Sequence, residues 1–274
     1  FKQIVIYLSM IWAKLIIIIF IIVLVYFKKS WQPRIPLFFK TEKLLKIGHR
    51  GAPLKAHENT INSFKKAVEA GVDGIELDVQ FSSDRQLVVY HEWNCDDYSG
   101  QKKQIVNTSY SELSKIRLKN NNMNKIPLLS EVLNILPENC IKIIEIKSRH
   151  IFNTSIEKSI LSVLEKYQLV DSSIISSFNP FVIRRIRNIN HNIQTALLWT
   201  MEEPMFTFNS PLWVWWCKPD GFHADINYLD MDLVKWVRRK KMSLLAFTIL
   251  SVDQLARVSD FGLDGIFLDD PNLN

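Results

Sequence analysis

Gly74-Ile75-Glu76-Leu77-Asp78-Val79 is a short apolar run that carries two carboxylates two residues apart. Side chains alternate between the faces of a strand, so Glu76 and Asp78 point to the same side. Charge inside an apolar strand is costly unless it is paired or bound to metal, so this strand has work beyond packing. Further short runs lie outward from it at Leu45–Gly48, Leu87–Tyr90, Ile141–Ile146, Ser173–Ser177, Ala196–Trp199, Gly221–His223, Leu244–Thr248 and Gly265–Leu268. Helical patterns separate most of them. Asn59–Thr60 offers an N-cap for a helix through Phe64, Ala67 and Val68 that Gly71 ends, and Ser130 offers one for Glu131–Leu136. Ile156–Tyr167, a helix opened by Asn179–Pro180, Met231–Lys240 after Asp230, and Asp253–Phe261 follow.

Repeated strand–helix units over about 230 residues predict an α/β fold, and a closed (β/α)8 TIM barrel over 45–274 fits the size. Nine runs are one too many for eight strands. Only Ser82–Gln86 precedes Leu87, too short for a parallel crossover, so Leu87–His91 is expected as a hairpin arm. A doubly wound open sheet is the alternative, but no G-x-G-x-x-G follows a first strand.

TIM barrels keep their sites at the C-terminal ends of the strands. Those ends here read Gly48-His49-Arg50-Gly51, Glu76-Leu77-Asp78-Val79, Tyr90-His91-Glu92 and Glu145-Ile146-Lys147. Glu145 and Lys147 repeat the two-residue spacing of Glu76 and Asp78. Three carboxylates converging at a barrel mouth make an oxygen-rich site for a hard divalent ion, Mg²⁺ or Ca²⁺. An internal salt-bridge network of Glu145, Lys147, Asp78 and Arg50 is the alternative.

The same residues resemble the glycerophosphodiester phosphodiesterase family. The resemblance rests on His49-Arg50-Gly51-Ala52, Glu58-Asn59-Thr60, Gly74–Val79, Asp84, His91-Glu92, Pro127–Leu133, Glu145-Ile146-Lys147, Ser176-Ser177-Phe178 and the closing Gly262–Pro271, in order over 46–272. It implies a TIM barrel with a small insertion after the second histidine, at about 93–125. It also implies metal-dependent hydrolysis of a glycerophosphodiester to glycerol 3-phosphate and an alcohol. Carried over position by position, His49 and His91 are the acid/base pair. Glu76, Asp78 and Glu145 are ligands of one divalent metal, and Arg50 and Lys147 hold the phosphate. The family's attacking group is the substrate's own glycerol hydroxyl, by way of a cyclic phosphate. Four places depart from the family: His57 stands where Pro is usual, Glu92 where Asp is usual, Phe247-Thr248-Ile249-Leu250 where Trp-Thr-x-Asn is usual, and Leu268-Asp269-Asp270-Pro271 where Thr-Asp-x-Pro is usual. The changed pocket wall keeps open a lipid head-group hydrolase of lysophospholipase D or sphingomyelinase D type. A barrel that only binds phosphodiesters would have lost histidines or ligands, and this chain keeps all seven residues.

Ile4–Phe27 is apolar apart from Ser9 and Lys14 and is long enough for a transmembrane helix over 1–30, followed by a connector over 31–44. Tyr26 and Trp31 beside Lys28 and Lys29 form an interfacial belt. A cleaved signal peptide is the rival, but no A-x-A-like site follows Phe27. Lys28, Lys29, Arg34, Lys40, Lys43 and Lys46 after the span place the barrel in the cytoplasm by the positive-inside rule. Leu212-Trp213-Val214-Trp215-Trp216, after Phe206, Phe208 and Pro211, either packs in the core or dips into lipid headgroups. Substrate candidates are therefore a soluble glycerophosphodiester or a lysophospholipid, with membrane lipid as a partner.

Across its 274 residues the chain is 47% hydrophobic and 23% charged, which excludes a disordered or low-complexity protein. Its 34 Lys+Arg against 28 Asp+Glu give +6, a balance that suits an anionic substrate or acidic lipid and is too mild to point to nucleic acid. Three widely spaced cysteines, Cys95, Cys140 and Cys217, form neither a disulfide framework nor a CxxC zinc site.

Overall fold

The computed structural model describes residues 2–29, 31–39, 43–96, 102–118, 125–202 and 210–273. It divides into two units, Phe1–Gln32 and Pro33–Asn274. The first is the helix α1 (Lys2–Lys29). Its described side chains are Met10–Val23 and Val25, and the large apolar ones among them are exposed. Among the described residues no helix is long and apolar enough to cross a membrane. The described apolar stretch falls short of the about 20 residues that a span needs. The other side chains of the expected span lie outside the described residues, as do Lys40, Phe206 and Phe208.

The second unit contains a closed barrel. Its eight parallel strands are β1 (Leu45–Gly48), β2 (Gly74–Phe81), β6 (Ile141–Ile146), β7 (Ser173–Ser177), β8 (Gln194–Trp199), β9 (Gly221–Asp225), β10 (Ser243–Ile249) and β11 (Gly265–Leu268). They pair in that order around the ring, and β11 closes on β1 with Gly48 opposite Leu268. The remaining run, β3 (Leu87–Val89), pairs antiparallel with β2, as its short connection requires.

Alternation along the strands divides the core. Leu45, Ile47, Ile141, Ile143, Ile174, Ala196, Leu245 and Phe267 fill the barrel interior. The opposite faces, with Ile75, Leu77, Val79, Ile144 and Ile146, pack under the surrounding helices. These include α2 (Ile61–Glu69), α4 (Leu129–Ile135), α5 (Ser155–Lys166) and α6 (Pro180–Ile189). Beyond them come α7 (Val214–Cys217), α8 (Met231–Arg239) and α9 (Val252–Val258).

Capping follows side-chain chemistry, with one correction at α4. The N-cap of α2 is Thr60, whose hydroxyl accepts from the Ser63 amide at 3.2 Å; Asn59 turns elsewhere. Ser130 lies inside α4, which starts at Leu129, and Glu131 reaches back to accept the Leu128 amide at 2.8 Å. The segment after the second histidine forms a hairpin of β4 (Asn94–Asp96) and β5 (Lys102–Gln104), then α3 (Tyr110–Leu113). It has its own buried cluster of Val88, Cys95, Ile105, Leu113, Ile116, Leu118 and Ile126.

The tryptophan run divides between packing and exposure. Trp213 and Trp216 lie against Phe181 with ring centroids 5.8 and 4.6 Å away, and Val214 and Cys217 are buried, while Leu212 is exposed. The three cysteines are buried free thiols.

Candidate active site

All seven residues singled out in the sequence meet at the C-terminal mouth of the barrel. Asp78 and Glu145 are register partners on adjacent strands, and Glu76 lies one pleat below Asp78. One carboxylate oxygen from each lies within 4.8 Å of one from each of the others, and all three residues are buried. His49 and Arg50 leave β1, Lys147 leaves β6 and His91 follows β3. His49, Arg50, Glu76, His91 and Glu145 line a cavity of about 240 Å³. Phe178, Leu198, Phe247 and Phe267 supply its apolar wall, so Phe247 stands as part of the altered pocket wall.

The turn after β1 aims Arg50 inward. Arg50 sits in the left-handed region at φ 52° and Gly51 follows at φ 91°. A Cβ on Gly51 would meet the Ser63 backbone carbon at 2.7 Å, so the turn requires glycine there. The Arg50 amide donates to Glu76 Oε2 at 3.0 Å. Its guanidinium forks onto both oxygens of Glu58, at 3.0 and 3.1 Å, while Nε stands 3.4 Å from Asp78 Oδ2. Lys147 Nζ lies 3.2 Å from Glu145 Oε1 and 3.6 Å from Asp78 Oδ1. The two cations thus approach different oxygens of Asp78.

Burial disfavours every charge here, and the neighbours decide which survive. Burial together with the Asp78 and Glu145 carboxylates pushes Glu76 well above the usual carboxylate range. Glu145 is also raised by burial, against the pull of Lys147. Asp78 is lowered: Lys147, Arg50 and His91 outweigh its burial. Arg50 and Lys147 are likewise buried, yet the carboxylates around them hold both above their ordinary values.

With Glu58 on Arg50, four carboxyl groups stand against two cations, so acid groups are in excess. Asp78 Oδ1 is buried and accepts no hydrogen bond. An all-oxygen donor set with an orphaned carboxylate oxygen and raised carboxyl pKa values fits a hard divalent cation, which would restore the ionised forms. The salt-bridge network foreseen as the alternative is present too, as the flank of the same cluster.

Each histidine has a carboxylate behind it. His49 Nδ1 lies 2.7 Å from Asp269 Oδ1, and His91 Nδ1 lies 2.8 Å from Glu92 Oε1. An ionised carboxylate only accepts, so Nδ1 carries a proton in both rings and Nε2 is the nitrogen left to exchange one. Burial lowers His91 below the ordinary histidine value, with Lys147 and Arg50 assisting. It is therefore neutral at physiological pH.

Three positioning groups carry more than the sequence assigned them. Asp269 ends β11 in the stretch Leu268-Asp269-Asp270-Pro271; its signal was its place one residue beyond a strand that must border β1. Glu58 holds Arg50, and Asn59 donates to Asp78 Oδ2 at 2.8 Å while accepting the Asp78 amide at 3.3 Å. Thr60 was legible as a cap, but that Asn59 crosses to β2 was not. His57 turns to the Glu58 carbonyl at 3.0 Å and lines no part of the cavity.

Comparison with known proteins agrees with this geometry. The model of the glycerophosphoryl diester phosphodiesterase family matches residues 49–273. A glycerophosphodiester phosphodiesterase of Caldanaerobacter subterraneus subsp. tengcongensis is 29% identical over 84% of this chain and 95% of its own. A glycerophosphodiester phosphodiesterase of Thermotoga maritima has a similar structure, with a TM-score of 0.69 at 25% identity over 84% of this chain and 96% of that one. An Oleispira antarctica phosphodiesterase, solved with the product sn-glycerol-3-phosphate, shares the fold with a TM-score of 0.74 at 22% identity, over 83% of this chain and 94% of that one. With its barrel matched nearly end to end, this chain belongs to the glycerophosphoryl diester phosphodiesterase family.

Proposed function

We propose that this chain hydrolyses glycerophosphodiesters to glycerol 3-phosphate and an alcohol at the mouth of its barrel. The observation that carries the assignment is the pairing of two Nδ1-anchored histidines with a three-carboxylate cluster flanked by Arg50 and Lys147. A phosphodiester monoanion repels nucleophiles, so its oxygens must be neutralised before attack. Arg50 meets two phosphate oxygens as a fork, and Lys147 meets one as a point charge. Glu76, Asp78 and Glu145 would hold a divalent metal, Mg²⁺ or Ca²⁺, which when bound adds Lewis-acid stabilisation of charge on the phosphoryl oxygens.

His91, kept neutral by burial, takes the proton from the attacking glycerol hydroxyl at Nε2. The hydroxyl oxygen bonds to phosphorus and the bond to the alcohol oxygen breaks; His49, entering this step protonated at both nitrogens with Asp269 behind Nδ1, gives that leaving oxygen its Nε2 proton. Water then opens the cyclic phosphate with the histidine roles reversed. The apolar wall of Phe178, Leu198, Phe247 and Phe267 shields the reacting centre from bulk water.

The N-terminal segment serves as a membrane anchor with the barrel on the cytoplasmic side. The exposed Ile, Leu and Phe side chains of α1 and the basic residues after it support that placement. A lysophospholipid is the second substrate reading, favoured by the aromatic wall of the small cavity and by exposed Leu212 and Trp216.

The test is phosphorus NMR of glycerophosphocholine incubated with the full chain in detergent, with Mg²⁺, Ca²⁺ or chelator, beside His49→Ala. Metal-dependent glycerol 3-phosphate that is absent with the variant upholds the assignment. Release of choline from lysophosphatidylcholine, with glycerophosphocholine untouched, would replace it with the second reading.

A further inference from the structure

The reacting cavity has a larger neighbour. A second cavity of about 550 Å³ opens between the end of β2, the insertion hairpin and the loop after β6. Lys147 is part of its wall, and the Lys147–Glu145 ion pair joins it to the 240 Å³ cavity. A phosphodiester has two arms, and two cavities flank the residues that would hold its phosphate. The smaller accommodates one arm against its aromatic wall. The larger is the place for the other.

The lining of the larger cavity has a definite charge. Arg85, Lys147, Arg149 and His150 face it together with serines, asparagines and glutamines, and among the described residues no carboxylate lines it. Among the described residues neither Arg85 nor Arg149 takes part in an ion pair. Arg149 lies over the Trp93 ring, 4.5 Å from its centroid, and Arg85 over Phe81 at 5.3 Å. A stacked guanidinium keeps its in-plane N–H donors free for an anion. It also occupies the aromatic face that a quaternary ammonium would need. The wall therefore disfavours a cationic head group and favours an anionic one.

We propose that this cavity, walled on one side by the insertion, is the subsite for the alcohol arm, and that Arg149 on Trp93, with Arg85, selects diesters whose alcohol carries an anionic group. The inference rests on the phosphodiesterase assignment above. The group it selects is a carboxylate or a phosphate.

Two pairs of diesters separate the charge from everything else. Glycerophosphoserine differs from glycerophosphoethanolamine by one carboxylate, and glycerophosphoinositol 4-phosphate from glycerophosphoinositol by one phosphate. The readout is the ratio of kcat/KM within each pair, measured on the full chain and on Arg149→Gln and Arg149→Lys. The anionic member is expected to lead by about tenfold in at least one pair, and that pair names the group. Arg149→Gln should collapse the ratio, mostly through KM, and Arg149→Lys should restore part of it. Calorimetric titration of the same diesters in chelator gives the ratio as Kd values. If no diester is turned over, the phosphodiesterase assignment fails while the binding ratio still decides the selectivity. Ratios near one in both pairs, or a ratio that survives Arg149→Gln with the variant's thermal unfolding unchanged, would overturn the proposal.

Discussion

His49 Nδ1 and Asp269 Oδ1 stand 2.7 Å apart although 220 residues separate them in the chain. Barrel closure makes the pair: β11 lies beside β1 with Leu268 opposite Gly48, so the next residue on each strand meets at the rim. Asp269, accepting from His49 Nδ1, fixes the tautomer and orientation of that ring. Replacing Asp269 with Asn permits the wrong tautomer. Steady-state kinetics should show kcat down by about a hundredfold or more with KM little changed, and an unchanged melting temperature. A kcat within twofold of wild type would remove Asp269 from the mechanism.

Glu58 is the other long arm of the site. Its two contacts to the Arg50 guanidinium hold that side chain toward the carboxylate cluster. Glu58→Gln leaves one acceptor and an Arg50 that swings more freely. KM for a glycerophosphodiester should rise by roughly five- to tenfold, with a smaller fall in kcat. Loss confined to kcat would instead place Glu58 in the chemical step.

Divalent metal should stabilise the fold as well as drive turnover. A cation that binds only the folded cluster adds about 2.7 kcal/mol at a hundred times its dissociation constant. Calorimetric melting with Mg²⁺ or Ca²⁺ against chelator should show the rise, and the larger shift at equal concentration identifies the preferred ion. Glu76→Gln should abolish it. An equal shift in that variant would move the ion away from Glu76, Asp78 and Glu145.

His223 makes stability depend on pH. Its side chain is fully buried inside β9, neither ring nitrogen has a hydrogen-bond partner, and the Phe267 ring lies 5.2 Å away. Burial pushes it down to about 3, so the folded protein keeps it neutral where the unfolded chain, near the ordinary 6.5, protonates. The unfolded state binds more protons between those values. The contribution is therefore complete above about pH 6.5 and is lost as pH falls toward 3. Between pH 7 and pH 5 that amounts to roughly 2 kcal/mol. Urea unfolding at the two pH values should show the loss in wild type and a correspondingly smaller one in His223→Leu. Parallel losses in both would locate the acid sensitivity elsewhere.

The sequence by itself determined the strands and the chemistry at their ends. The apolar runs at Leu45–Gly48, Ile141–Ile146, Ser173–Ser177 and Gly265–Leu268 coincide with β1, β6, β7 and β11. Alternation along one strand already put Glu76 and Asp78 on one face, because that periodicity is local. Helix starts were legible in part: Thr60 of the Asn59–Thr60 pair caps α2, while α4 draws its cap from Glu131 rather than Ser130, because a short polar side chain can turn to the backbone or elsewhere. Tertiary structure alone decided which groups stand behind the candidate site residues. Asn59 reaches Asp78, Asp269 reaches His49, and Trp93 of the insertion lies under Arg149. These partners are far apart along the chain, and no pattern within a window of residues encodes their meeting. Ring closure and the fold of the insertion bring them together. The same closure seals His223 in the interior, where burial rather than any local sequence signal sets its charge.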